Sequence, residues 1–457
     1  MGSHAMFTVS VKHTEIITAA SPVQNFWLPM SNLDILIPPL DVGVFFSYKK
    51  PIPSENYINL IKESLALVLV TFYPLAGEIV QNKLGEPEIL CNNHGVEFVH
   101  AFTDLELVDL DLYHPDDSVE GKLVPVKTKG VLSVQATEFK CGGLVIGCTF
   151  DHRLADAHSM NMFLNSWTNV ARSKPISCIP SFRRSMLYPR RPPHINAFYN
   201  TLYVPFSSLP PPRPSSQTNP LISRIYYIKA DDINNIQMES SSDGNPQSKL
   251  ISFTSFLWKM IAKSDKESKI CRIGVVVDGR ERLSDDNLED LSLSNINNSL
   301  TMKTYFGNVL SVPYCEANSG HLQRMPLREV AKMVLKCVTN ACTKEHFKGL
   351  IDWVEVHRPE TAVTKIYTEM GNNYGPAVVV SSGMRLDFET IDFGWGKPRF
   401  ASYHFPWGGQ TGYVMPMPSV AKNEDWIVYM HLLPKHLDLV EAIGDVFRPL
   451  TSNYLDF

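Results

Sequence analysis

The apolar positions of this chain change period several times, and each change marks an element. Leu144-Val145-Ile146-Gly147-Cys148-Thr149-Phe150 is a continuous apolar, partly β-branched run, short enough to be a buried strand. Directly after it, Met160, Phe163, Leu164 and Trp167 recur at helical spacing, so the segment predicts strand, tight polar turn, helix. Earlier, 7–17 alternates as a strand, 27–34 is rich in turn formers, and 35–47 is extended and apolar. Ser54-Glu55-Asn56 can cap a helix that runs through Leu60, Leu65, Leu67 and Val68 to Val70. Pro74 and Gly77 break that pattern, and strands follow around 88–91, 96–99 and 131–136.

The second half repeats the same kinds of signal. A strand at 221–229 leads to a helix start at Ala230-Asp231-Asp232, and 239–249 is polar and loop-like. A helix over 252–262 carries Phe253, Phe256, Leu257 and Met260 on one face. Ile273-Gly274-Val275-Val276-Val277-Asp278-Gly279-Arg280 is a buried strand ending in a polar turn, an echo of the first-half arrangement. Tyr305 to Leu310 forms an aromatic–Gly turn, 327–342 an amphipathic helix, and Val378-Val379-Val380-Ser381-Ser382 another buried strand end. Between these halves, 174–219 is rich in Pro, Arg and Ser, with Pro189-Arg190-Arg191-Pro192-Pro193 and Pro210-Pro211-Pro212-Arg213-Pro214. It predicts a long crossover, partly extended and polyproline-like, in place of an ordinary core element.

Length fits this division, since 457 residues exceed what one core usually holds. At 44% hydrophobic and 19% charged the chain is globular. A net charge of −5 with no Lys/Arg run offers no footprint for nucleic acid. No apolar run reaches membrane-spanning length. Its eight cysteines form no Cys-x-x-Cys pair, which disfavours zinc ligation and a disulfide framework and fits a reducing cytosol. Residues 1–5 read as a vector-derived scar before a native start at Met6, with no signal peptide following.

The candidate chemistry sits where the first buried strand ends. His152 and Asp156, in His152-Arg153-Leu154-Ala155-Asp156, occupy the turn between strand and helix. An imidazole there can meet substrate in dry surroundings, and its ordinary pKa near ~6.5 suits a general base. Such a pair also arises by chance in a chain this long, so its weight depends on a second unusual segment. That segment is Asp392-Phe393-Gly394-Trp395-Gly396, where two glycines flank an indole and allow backbone conformations closed to other residues.

Taken together and in this order, the two segments resemble the plant BAHD acyltransferases, an acyl-CoA-dependent family. Tyr73-Pro74-Leu75-Ala76-Gly77, Val277-Asp278-Gly279-Arg280 and Tyr305-Phe306-Gly307-Asn308 resemble further family segments, so the likeness spans the chain. It implies an α/β fold of two chloramphenicol-acetyltransferase-like domains, with mixed sheets flanked by helices. The first would cover 6–185, a crossover 186–220, and the second 221–457, with a channel between them. By the same resemblance His152 is the general base, Asp156 pairs with Arg280 to fix its loop, and Ser381 is an oxyanion donor. Asp392, Phe393, Gly394, Trp395 and Gly396 would be structural, shaping the coenzyme side. Ser248, Ser381 and Ser382 are candidates for contacts to CoA. The implied partners are acyl-CoA as co-substrate and a small alcohol or amine, with no permanent cofactor, no metal, no nucleic acid and no membrane. A cytoplasmic monomer is expected.

Departures narrow the substrate. Ala157 follows Asp156 where many relatives have Gly, and Gly383 stands where hydroxycinnamoyl transferases acting on shikimate or quinate carry Trp. With Trp27-Leu28-Pro29-Met30-Ser31-Asn32-Leu33-Asp34, this resembles the coniferyl-alcohol acyltransferase branch, implying an aromatic alcohol and a short acyl group such as acetyl. A hydroxycinnamoyl or N-acyl transferase of the same family is the alternative. Peptide-synthesis condensation domains share the fold type, but here Asp151 precedes His152 where they carry a second His. No Gly-x-Ser-x-Gly nucleophile elbow is present. A catalytically silent binding scaffold is the non-enzyme reading. His158 and His404 lack the strand-end setting and read as packing or channel-lining residues.

Overall fold

The computed structural model describes residues 7–21, 24–49, 56–209, 220–242, 245–284, 301–368, 373–421 and 423–457. Two mixed sheets dominate it. In the first, the strands run Ser10–Ile17, Val96–Thr103, Leu132–Phe139, Leu144–Asp151, Asp41–Tyr48 and Phe400–His404 in spatial order. Val96–Thr103 and Leu132–Phe139 are parallel, and the other neighbours antiparallel. Tyr57–Thr71 and Ala157–Ala171 pack side by side against it. Their contact is fixed by the buried Trp167 indole, which donates to Ser64 Oγ at 3.0 Å.

The second sheet orders Tyr314–Asn318, Ile270–Val275, Tyr374–Val380, Gly412–Pro418, Trp426–Leu432, Ile222–Ile228 and Arg448–Pro449. Its alternation shows why the central strands are largely apolar on both faces. Met415, Met417, Ile427, Tyr429 and Ile225 join the core of the first sheet. Their immediate neighbours Val414, Val428, Met430 and Tyr226, with Ile228, face the helices Ala230–Ser240, Lys249–Ile261 and Leu327–Ala341. One face of the second sheet is therefore shared with the first half, and the other is covered by helices. This is an α/β fold with mixed sheets flanked by helices, as the family resemblance implied. No helix of the described residues is long and apolar enough to cross a membrane.

Three local expectations need correction. Asn56 precedes the helix Tyr57–Thr71 without a capping side-chain bond, and positions 54 and 55 lie outside the described residues. The loop expected over 239–249 is shorter, because the flanking helices reach Ser240 and start at Lys249. The Pro-rich crossover is more ordered up to 209 than its composition suggests. Tyr199–Leu202 is helical, Tyr203–Pro205 pairs with Ala362–Thr364, and Leu187, Tyr199, Leu202 and Tyr203 share a core with Phe347 and Trp353. Arg190 anchors it, its Nε donating to the buried Asp352 Oδ2 at 2.6 Å. Aromatic anchors override the local preference of the prolines between them, while residues 210–219 lie outside the described set. The scar at 1–5 lies outside it too.

Candidate active site

The strand Leu144–Asp151 is buried along its whole length and delivers His152 as the first residue of a turn. The turn is held from several sides. His152 donates its backbone N–H to Leu40 O at 2.9 Å. The Asn308 side-chain amide donates to His152 O at 2.9 Å and to Arg153 O at 3.1 Å. Asn308 is in turn fixed by the buried Asp34, whose Oδ1 accepts its backbone N–H at 2.7 Å and its Nδ2 at 3.0 Å. Arg153 folds back onto Asp151, with Nε to Oδ1 at 2.9 Å. The backbone around His152 is thus fully engaged, while its ring is free of hydrogen bonds among the described residues. Nδ1 is buried without a partner, and the edge-on Phe405 ring lies 6.3 Å away.

Asp156 closes the other end of the turn. It is 1% exposed, and Arg280 is 2% exposed. Arg280 grips it with two bonds, Nη1 to Oδ2 at 2.8 Å and Nη2 to Oδ1 at 3.0 Å. Asp156 Oδ1 also accepts from Ser159 N at 2.9 Å, capping the helix Ala157–Ala171, and Oδ2 from Val309 N at 3.2 Å. Arg280 Nη2 reaches on to Gly307 O at 2.8 Å. Burial pushes the Asp156 carboxyl up, but the Arg280 charge and hydrogen bonds outweigh it and hold it below the ordinary carboxylate range. Asp156 borders the cavity, and both its oxygens are committed to this network.

His152 opens onto a cavity of about 1280 Å³. A typical single-ligand pocket is roughly 300–1,000 Å³, so there is room for more than one small molecule. Around His152 the wall is apolar or aromatic, with Leu40, Phe150, Tyr403, Phe405, Tyr413 and Met415. Ser381, Ser382 and Ser248 line the same space. Ser381 follows the buried strand Tyr374–Val380, and its neighbour Tyr413 is pushed up to about 12 by burial, opposed by a hydrogen bond with Ser381. Ser248 caps the helix Lys249–Ile261, its Oγ accepting from Ile251 N at 3.3 Å. Ser382 Oγ accepts from Met384 N at 3.4 Å.

Asp392, Phe393, Gly394, Trp395 and Gly396 lie off the cavity wall, against the first sheet's helices. Asp392 Oδ1 accepts from Gly394 N at 2.8 Å and Gly396 N at 2.9 Å, in a turn whose glycines have φ of 113° and 106°. Only glycine adopts such angles cheaply. The turn stacks Trp395 on Phe393 at 5.4 Å and sets Phe393 edge-on to Trp167 at 4.9 Å. Gly383 is tightly enclosed as well. A Cβ there would stand 2.6 Å from Met417 Cγ and 3.0 Å from Met415 Cε.

Of the other histidines, His158 lines the cavity and its Nε2 donates to Lys303 O at 2.9 Å. His404 is buried in the strand Phe400–His404 and lies off this wall. The parts the residue pattern did not single out are Asp34 and Asn308, buried polar residues 274 positions apart that carry the His152 backbone. Their signal was only that each sits in a quoted family segment.

A model described as the Transferase family matches residues 7–444. A shikimate O-hydroxycinnamoyltransferase of Nicotiana tabacum is 27% identical over 461 residues, covering 95% of this chain and 98% of its own length. An anthranilate N-benzoyltransferase of Dianthus caryophyllus is 29% identical, covering 86% of this chain and 90% of its own. Vinorine synthase has the same fold, with a TM-score of 0.70 at 20% identity over 97% of this chain and 99% of that one. TRI101 of F. graminearum, in complex with coenzyme A and deoxynivalenol, also matches at 0.70, with 14% identity over 91% and 97% of the two chains. The two-domain acyltransferase fold and a family match across nearly the whole chain leave one conclusion: this protein belongs to the BAHD family of acyltransferases.

Proposed function

We propose that this enzyme transfers an acyl group from acyl-CoA to an alcohol, with His152 as general base and no covalent acyl-enzyme. The observation that carries the reading is an imidazole with a rigidly held backbone and an unengaged ring at the wall of a cavity large enough for two substrates. His152 takes the proton of the acceptor hydroxyl as that oxygen attacks the thioester carbonyl. The C–O bond forms, negative charge moves to the carbonyl oxygen, and Ser381 is the donor proposed to face it. Collapse breaks the C–S bond, and the departing thiolate takes the proton back from His152. Asp156 and Arg280 hold the turn in this account and do not touch the reacting atoms. The domains proposed at 6–185 and 221–457 supply most of the wall, and Tyr203, Phe206 and Leu209 of the proposed crossover 186–220 add to it; the protein is proposed to be a cytoplasmic monomer.

CoA is proposed on the side of Ser248, Ser381 and Ser382, which line the cavity, and TRI101, which shares the fold, is known in complex with coenzyme A. The cap bond of Ser248 leaves its hydroxyl hydrogen available to a ligand. The acceptor is proposed to be an aromatic alcohol of the phenylpropanoid class and the acyl group short, acetyl above all, as in the coniferyl-alcohol branch. The aromatic wall around His152 suits a flat apolar acceptor, and Met415 and Met417 fill the space that an indole at Gly383 would need. The second reading, an aromatic acyl donor or an amine acceptor, is favoured by relatives named for hydroxycinnamoyl and N-benzoyl transfer. Turnover of acetyl-, coumaroyl- and benzoyl-CoA against phenolic alcohols, shikimate and anthranilate separates them. Acetylation of the alcohols supports the first reading, and aromatic acyl transfer to shikimate or anthranilate replaces it with the second.

A further inference from the structure

Trp407 lines both the large cavity and a smaller one, and at the smaller one Asp116 and Glu120 converge with His404. One ligating atom from each lies within 4.8 Å of the other two. His404 is only 2% exposed, and neither ring nitrogen has a hydrogen-bond partner among the described residues. Its Nε2 is 4.0 Å from Glu120 Oε2. Asp116 Oδ2 accepts from Ser223 N at 2.6 Å, while its Oδ1 is buried and unpartnered. The adjoining cavity of about 290 Å³ is lined by Asp116, Glu120, Trp407 and His431. His431 is already committed, through Nδ1 to Ser223 Oγ at 2.9 Å and Nε2 to Trp407 O at 3.1 Å.

A buried imidazole without partners and a buried carboxylate oxygen without one are each costly, and they lie side by side. We infer that Asp116, Glu120 and His404 bind one divalent first-row cation, Zn²⁺ by the chemistry of the set. One imidazole and two carboxylates neutralise the ion and match its nitrogen and oxygen preference. Tetrahedral bonds of ~2.0–2.1 Å set ligand atoms roughly 3.3 Å apart. Glu120, whose side chain is 52% exposed, is the ligand free to close that gap. The cation would tie the short helix Pro115–Ser118, which carries Asp116, and Glu120 just after it to the last residue of the strand Phe400–His404. The next residue, Phe405, is the ring against His152, so the site braces the cavity wall without entering the reaction.

The test is a titration of chelator-stripped protein with Co²⁺, read by its visible d–d absorption, followed by displacement with Zn²⁺. The same titration is run on Glu120→Gln and on His404→Gln, each first checked for a native circular dichroism spectrum. Saturation at one Co²⁺ per chain, displaced by Zn²⁺ and weakened at least roughly tenfold in the folded variants, supports the site. Because Glu120 is half exposed, its variant keeps the test alive if His404→Gln does not fold. Absence of saturable Co²⁺ binding, or an unchanged affinity in either folded variant, overturns it.

Discussion

An imidazole can act as a base only if its proton-accepting nitrogen is neither hydrogen-bonded away nor free to wander. Here the two requirements fall to different atoms, because the His152 backbone is held by Leu40 and Asn308 while the ring is left unengaged. His152→Ala should therefore lower kcat by about 10²–10⁴-fold with its thermal midpoint little changed. Asn308→Ala removes the two bonds to the turn's carbonyls. It should lower kcat by roughly tenfold or more, through misplacement alone, with KM for acyl-CoA nearly constant. Asp156 behaves differently. Breaking a buried bidentate pair leaves Arg280 with only the part-exposed Asp278 carboxylate at 3.1 Å, so Asp156→Asn should cost about 3 kcal/mol in urea unfolding. Since Arg280 holds the carboxyl below its ordinary range, its share of stability is present above the unfolded carboxylate pKa. It is lost as pH falls through the lower folded value, so the gap between wild type and variant should narrow on acidification. His152 and Asp156 were visible in the sequence because strand, turn and helix are adjacent there. Asp34 and Asn308 were not, since nothing local in either residue says that a distant backbone needs a donor.

At the level of elements, the useful distinction is between turns set by local chemistry and those set by distant packing. The Asp392 turn belongs to the first kind. Its carboxylate collects two backbone donors within four residues, and its glycines supply the angles. Gly394→Ala should destabilise by about 1–2 kcal/mol in denaturant unfolding, with KM and kcat of the folded fraction retained. The crossover belongs to the second kind. Its prolines describe an extended chain, and nothing in them foretells that Tyr199 and Tyr203 dock against Phe347 and Trp353. Ser248 shows the same limit in miniature, as the sequence marks a hydroxyl before a helix but not that it caps the first turn.

For the whole molecule, the apolar pattern marked runs such as 144–150 and 378–380 as buried strands, while the class of fold came from the family resemblance. The pattern could not reveal that Phe400–His404, far along the chain, completes the sheet of the first half beside Asp41–Tyr48, because pairing partners that distant leave no local trace. A fragment of residues 7–185 therefore leaves the edge of Asp41–Tyr48, with Phe45, Phe46 and Tyr48, unpaired. It should aggregate or fail to give a cooperative melt, unlike the intact chain. The two halves meet across the second sheet, whose Met415, Ile427 and Tyr429 sit in the first core, and His152 and Ser381 line the same cavity. The central claim is that this cavity performs His152-dependent acyl transfer. The direct measurement is free-thiol release from acetyl-, malonyl- and coumaroyl-CoA with pooled phenolic alcohols, shikimate, quinate and amines, with product masses, for wild type and His152→Ala. Acceptor-dependent release that yields the ester and disappears in the variant is the predicted result. Release that persists undiminished in His152→Ala contradicts it.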